Sequence, residues 1–197
     1  MAHAIRSLVG HHGGPDMGGL AQHPAIYDAV ASRIGRGLYR RAVADLGLVR
    51  LDRDALVVDL GTGPGRVPLM IAAALEGVRV EGVDLSAEMI ERARALVLPS
   101  GVDPSRVSFR VADVAALPYA EASVAVVVST ASMHHWQDIE AGVSEIARVL
   151  RPGGQAIVYD PWSSIRKAMP AAEAAGLAVR TQALRFGIAR LTLFAPI

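Results

Sequence analysis

The run Asp59-Leu60-Gly61-Thr62-Gly63-Pro64-Gly65 sets three glycines at alternate positions directly after a short apolar stretch. Glycine reaches backbone conformations closed to other residues and lets a ligand approach the main chain, so this turn can cradle a small polar molecule. Asp84 follows a second apolar stretch about twenty residues on, the offset at which an acid meets a ribose in nucleotide folds, and Asp113 follows a third. A carboxylate at Asp84 can accept hydrogen bonds from both hydroxyls of a ribose and repels a 2′-phosphate. It could instead cap the next helix, but Ser86 already offers a cap. A fourth stretch ends in Ser129-Thr130-Ala131-Ser132-Met133-His134-His135-Trp136. Histidine titrates near neutrality, so His134 or His135 is a candidate catalytic base. The glycine turn alone is a weak signal. With an acid after the second stretch and a polar residue after the third, it points to a nucleoside site.

These residues converge only if the apolar stretches are strands of one sheet. Residues 55–60 read as a strand buried on both faces. A helix follows over 66–75, with Pro68 tolerated in its first turn. Residues 78–83 form the second strand, and Ser86 opens a helix through 96. Strands are expected at 107–111 and 124–129. A helix over 138–150 carries Ile139, Val143, Ile146 and Leu150 on one face. Arg151-Pro152-Gly153-Gly154 should stop it and turn the chain into a fifth strand, 155–159. A helix over 165–175 ends at Gly176, and strands at 177–183 and 190–194 are close enough to form an antiparallel hairpin. Alternating strands and helices imply right-handed parallel βαβ units covered on both faces. Their ligands bind beyond the carboxyl ends of the strands. Upstream, 11–20 is a Gly- and Pro-rich lead-in, and 24–48 reads as one or two amphipathic helices stopped by Gly47.

At 197 residues the chain is one compact domain, read as an N-terminal helical cap or lid over 1–53 and a core over 54–197. It has no cysteine, which removes disulfides and thiolate nucleophiles, and no acid or histidine cluster with metal spacing. Net charge is +1, distributed as +3 over 1–53, −6 over 54–160 and +4 over 161–197. No concentrated basic face suggests nucleic acid. Its apolar runs fall far short of the ~20 residues of a membrane span, and the N-terminus lacks a signal-peptide core. A cytoplasmic protein without stable membrane insertion is expected.

VVDLGTGPG (57–65), VDLS with Met89 (83–86), ADVAALPY (112–119) and ARVLRPGG (147–154) occur in this order. With them the sequence resembles the class I S-adenosylmethionine-dependent methyltransferases, nearest the ubiquinone/menaquinone-biosynthesis type that acts on small molecules. The resemblance is strong over 55–159. It implies a Rossmann-like three-layer α/β sandwich with a mostly parallel seven-stranded sheet and an antiparallel last strand. It also implies S-adenosylmethionine as cofactor and S-adenosylhomocysteine as product. By the same likeness Gly61, Thr62, Gly63 and Gly65 pass under the methionine and ribose, and Asp59 anchors the ammonium. Asp84 holds the ribose, with Leu85 and Met89 beside the adenine. Asp113 accepts from the adenine amino group while Val114 packs on the ring, and Ser129 and Thr130 offer backbone groups to the methionine end.

The acceptor apparatus is small. Residues 160–176 and 184–189 are short connections, so the expected lid is 23–39, closing on Trp136 and Trp162, with Tyr27 and Tyr39 adding aromatic surface. Two other readings stay open: a non-catalytic S-adenosylmethionine-binding partner or regulatory protein, and a nicotinamide-dependent oxidoreductase. The latter is disfavoured because Arg66 stands where a dinucleotide fingerprint needs its third glycine. A homodimer completing the acceptor site is a further option.

Overall fold

In the computed structural model, which describes residues 24–197 and the side chains of residues 35–197, every apolar stretch read as a strand is one. The N-terminal helix α1 (Pro24–Leu46) precedes β1 (Leu56–Leu60), α2 (Arg66–Ala74), β2 (Arg79–Asp84), α3 (Ala87–Ser100), β3 (Val107–Val111) and β4 (Val124–Thr130). Then come α4 (Ile139–Val149), β5 (Leu150–Pro161), α5 (Trp162–Ala174), β6 (Ala178–Ala183) and β7 (Ile188–Phe194). The strands lie in the order β3-β2-β1-β4-β5-β7-β6. Neighbours from β3 to β5 are parallel, and β7 runs antiparallel to both β5 and β6. The expected seven-stranded α/β sandwich is therefore present.

Period-two alternation builds the layers. Val57 packs with Ala42, Leu46, Ile71 and Ile90 of α1, α2 and α3 on one face. Its neighbour Val58 packs with Val143, Ile146, Ile165 and Ala168 of α4 and α5 on the other. Both faces of β1 and β4 are covered, which is why their sequences are apolar up to the polar residues at their carboxyl ends.

Two local readings change and a third is narrowed. α3 runs through Pro99 to Ser100 and ends on Gly101 at φ +73, beyond the expected stop at 96. Arg151 to Gly154 do not precede the fifth strand but lie within it. Val124 pairs with Leu150 and Val126 with Gln155, so the extra residues bulge out of the ladder. Leu150 is buried against β4, and that burial recruits it to the strand. Finally, 24–46 is one unbroken helix through Gly35 and Gly37. The lead-in over 11–20, His23 and the Tyr27 side chain lie outside the described residues.

The last turns of α1 belong to the sandwich, since Ala42 and Leu46 are buried. Asp45 fastens them. Its carboxylate accepts from the hydroxyl of the fully buried Tyr159 on β5 and from Arg190 Nη1 on β7 at 2.6 Å. Burial alone would raise the Asp45 pKa, but the hydrogen bonds from Tyr159 and Arg190 outweigh it and hold the carboxyl below its ordinary value. A depressed carboxyl stabilises the fold above its unfolded pKa and loses that contribution as pH falls through the folded value. Asp45→Asn should therefore cost roughly 1.5–3 kcal/mol at pH 7, the scale of a hydrogen bond to a charged group. Urea unfolding should show the gap to the native sequence closing below about pH 4.

Candidate functional site

Strand order reverses between β1 and β4: the chain first builds outward through β2 and β3, then returns to place β4 on the other flank of β1. Crossovers leaving in opposite directions open a crevice at the carboxyl ends. A cleft of about 1230 Å³ lies there, walled by the segments after β1 to β4, by α1 around Tyr39 and by the β6–β7 turn.

The glycine turn forms its floor. Gly61 and Thr62 both donate N–H to the Val83 carbonyl at 2.9 Å. The next N–H, of Gly63, donates to Asp84 Oδ2 at 2.8 Å, while Ser86 N–H donates to Oδ1 at 2.9 Å. Asp84 thus ties the loop to the end of β2 and keeps lone pairs for a further donor. Gly61 and Gly63 adopt φ of +68 and +52, but for different surroundings. A Cβ on Gly61 would fall 1.7 Å from Ser132 Oγ, whereas one on Gly63 would meet nothing within 4 Å. Gly61 is required by protein packing, and Gly63 leaves space for a ligand. Gly65, at φ +78, packs on Ala93 and Phe109 at the start of α2 and does not line the cleft.

Beneath the floor lies Asp59, 1% exposed. Neither of its carboxylate oxygens, nor the buried Thr62 hydroxyl, has a hydrogen-bond partner among the described residues. Burial pushes the Asp59 pKa up to about 7, with the nearby Thr62 hydroxyl opposing the shift and the charge of Asp84 adding to it. An orphaned acid under a glycine cradle is what a buried cation would satisfy.

The opposite wall is set from α4. Arg148 bridges the carbonyls of Leu117 and Tyr119, and Glu145 accepts from Leu117 N–H, so the chain after β3 is held against the helix. That fixes Asp113, whose Oδ1 accepts from Ala115 N–H at 2.9 Å, and Val114 at the cleft. Trp136 packs on Gly142, where a Cβ would come within 2.8 Å of the indole. Its Nε1–H donates to Ser132 Oγ at 3.0 Å. Tryptophan, serine and Gly61 form one wedge from α4 to the floor.

The histidines divide. His135 lines the cleft, whereas His134 does not. The carboxylate of Asp160, fully buried at the end of β5, accepts from Met133 N–H at 2.9 Å and His134 N–H at 3.1 Å. His134 Nδ1 lies 3.1 Å from the same carboxylate. The two imidazoles stand 3.9 Å apart, tilted by 45°. Burial, then the neighbouring His134, lowers the His135 pKa below its ordinary value, with Asp160 opposing.

Of the residues named from sequence, Gly61, Thr62, Gly63, Asp84, Leu85, Met89, Asp113, Val114, Thr130 and His135 meet at this cleft. Asp59 lies below it. Ser129 is buried within β4 and spends its hydroxyl on the Leu60 carbonyl at 3.0 Å. Tyr39 and Trp136 line the cleft, but Trp162 does not. It sits with Arg166, Met169 and Glu173 on the outer face of α5, because β5 continues to Pro161 and carries the chain past the site. Sequence reasoning missed Ser132, Asp160 and the turn residues Leu184 to Phe186. The signal for that turn was available: β6 runs parallel to β5, so its exit must lie on the same edge as the other carboxyl ends.

Residues 57–154 match the family model described as a methyltransferase domain. The chain is 33% identical over 138 residues to 27-O-demethylrifamycin SV methyltransferase of Amycolatopsis mediterranei, covering 70% of this chain and 50% of that protein. It is 31% identical over 122 residues to demethylmenaquinone methyltransferase of Thermus thermophilus, covering 62% and 53%. The chain thus spans about half the length of the curated relatives it matches. A solved geranyl diphosphate methyltransferase, in complex with GPP and sinefungin, shares the fold at a TM-score of 0.69 and 20% identity, covering 83% of this chain and 78% of that one. The motifs, the sheet order and these likenesses agree: residues 57–154 are a methyltransferase domain, set in a fold shared with a solved methyltransferase.

Proposed function

We propose that this chain binds S-adenosylmethionine in the cleft and transfers its methyl group to a small-molecule acceptor. The observation that carries the reading is the orphaned Asp59 carboxylate beneath a glycine turn whose Gly63 is open to the cleft. The residues fit the cofactor. Asp59 faces its ammonium directly or through water, Asp84 receives the ribose hydroxyls, and Asp113 accepts from the adenine amino group. Leu85, Met89 and Val114 enclose the base, and the backbone of Thr130 meets the methionine end. A nicotinamide dinucleotide carries no ammonium group to donate hydrogen bonds to the buried acid. The named acceptors of the two relatives, a demethylrifamycin and a demethylmenaquinone, support a small-molecule acceptor here.

The bound cofactor supplies a methyl group already activated by its sulfonium, so the protein must align the acceptor and exclude water. Where the acceptor carries a proton, His135 takes it. Its lowered pKa leaves the imidazole neutral at pH 7, ready to accept. His134 is the second histidine of the site: Asp160 fixes its backbone and ring, and it buttresses His135 without reaching the cleft. The presence of this base at the cleft favours catalysis over a binding-only role.

Calorimetry tests the cofactor. S-adenosylhomocysteine should bind and NADH should not, and Asp84→Ala should weaken binding by roughly 1–3 kcal/mol through lost charged hydrogen bonds. Undiminished binding would remove Asp84 from the ribose.

Asp59 yields a pH signature. Because its folded pKa is raised, the folded state binds more protons than the unfolded one between about pH 4 and 7, and stability declines across that window. Asp59→Asn should melt higher than the native sequence at pH 8 yet bind S-adenosylhomocysteine more weakly. In the native protein, binding near pH 7 should release a proton as the ammonium draws Asp59 into its charged form. Binding heats that depend on the ionisation enthalpy of the buffer would register it.

For His135, the rate of S-adenosylhomocysteine formation with a hydroxylated acceptor should fall as pH drops, with a midpoint below 6.5. His135→Asn should lower kcat by roughly 10²-fold or more with cofactor affinity kept. An unchanged pH profile in that variant would exclude it as the base.

A further inference from the structure

We infer that Phe186, at the tip of the β6–β7 turn, is the residue that selects the acceptor, and that it selects an apolar, ring-bearing one. The inference rests on the methyl-transfer reading of the same cleft and names what fills its outer half. The turn Arg185–Gly187 is closed by Leu184 N–H donating to the Ile188 carbonyl at 2.8 Å. Phe186 occupies the left-handed region at φ +59, ψ +35. That conformation is uncommon for any residue with a side chain and a clear outlier for a bulky one. The ring gains nothing for the core in exchange, being 86% exposed and in neither buried cluster. A strained backbone that holds a large apolar ring in water, at the rim of a ligand cleft, is the pattern expected where the ring serves a ligand.

Position decides which ligand. The residues fitted to adenosine follow β1, β2 and β3. The β6–β7 turn stands beyond β4 and β5, at the other end of the sheet. It therefore borders the half of the cleft that His135, after β4, also lines. Leu184 and Ile188 flank Phe186 there, and Leu38 and Tyr39 of α1 and Trp136 supply further apolar surface. The acids Asp84 and Asp113 are confined to the nucleoside half, and the charged groups that line the cleft beside the turn, Arg41 and Arg185, are cationic. A neutral ring bearing a hydroxyl, placed among these groups, has its body against Phe186 and its hydroxyl toward His135.

The test is a fluorescence titration of 2-naphthol into protein saturated with S-adenosylhomocysteine, with cofactor affinity measured separately by calorimetry. Asn tolerates the left-handed conformation, so Phe186→Asn should fold with an undiminished melting temperature and a cofactor Kd within two-fold. Its 2-naphthol affinity should fall tenfold or more, and Phe186→Tyr should retain it within about three-fold. Equal 2-naphthol binding by the native protein and Phe186→Asn, or no binding by the loaded native protein, overturns the proposal. A parallel loss of cofactor affinity in Phe186→Asn also overturns it, by assigning the turn to the nucleoside. Failure of the native protein to bind S-adenosylhomocysteine would instead bring down the methyl-transfer reading and this proposal with it.

Discussion

The reversal of strand order at β1 is the constraint on which the rest of the molecule depends. Because β2 and β4 flank β1 on opposite sides, the chain segments leaving β1 and β4 diverge, and the space between them cannot be closed by a crossover helix. The groups fitted to the cofactor hang from strand ends around that gap, with Met89 added from the first turn of α3. Burial of β1 and β4 on both faces makes the rim rigid: Val57, Val58, Val127 and Val128 are all essentially inaccessible. A rigid frame lets short, glycine-rich segments serve as the site without large helices to brace them.

The walls are tied back to this frame by polar groups that each do two things. Asp84 accepts from Gly63 on one side and Ser86 on the other, so the floor and the start of α3 share one anchor. Ser132 receives the Trp136 indole N–H while its own atoms fill the space that Gly61 leaves empty. Asp160 takes two backbone N–H groups and the His134 ring, pinning the segment after β4 to the end of β5. Asp45 does the same for α1, joining it to β5 and β7. Side chains on five different elements converge, yet each is held by only one or two such anchors.

What sequence could reveal follows from the range over which each feature is determined. Asp84, Asp113 and the glycine turn were legible because a strand end is set locally and the residue after it must face the crevice. Ser129 is positioned by a contact of the opposite kind. It pairs with Val158 of β5, and its hydroxyl meets the Leu60 carbonyl, a contact made 69 residues away in the chain. Gly65 belongs to the same class: Ala93 and Phe109 exclude a Cβ there, and neither is a sequence neighbour. Trp162 turned on a boundary of two residues. With β5 ending at Pro161 and not at 159, the tryptophan begins α5 and faces away from the cleft. The β6–β7 turn was read as too short to matter, although its strand direction already fixed which edge it occupies.

The site also holds features that oppose stability, and they lie where a ligand would relieve them. Asp59 is a desolvated acid without a partner, Ala131 and Phe186 hold positive φ at the cleft, and Gly63 leaves a void. Positive φ by itself does not single out the cleft, because Asp54 and Ala122 share it elsewhere; what the cleft combines is an unpartnered acid, an open glycine and an exposed ring. Their grouping follows from the chemistry proposed for the cleft. A cation balances Asp59, a ribose uses the remaining lone pairs of Asp84, and an apolar ring covers Phe186. Each defect is then a binding determinant whose cost in the empty protein is recovered on binding. Cofactor and acceptor together should consolidate the carboxyl edge of the sheet far more than its opposite edge.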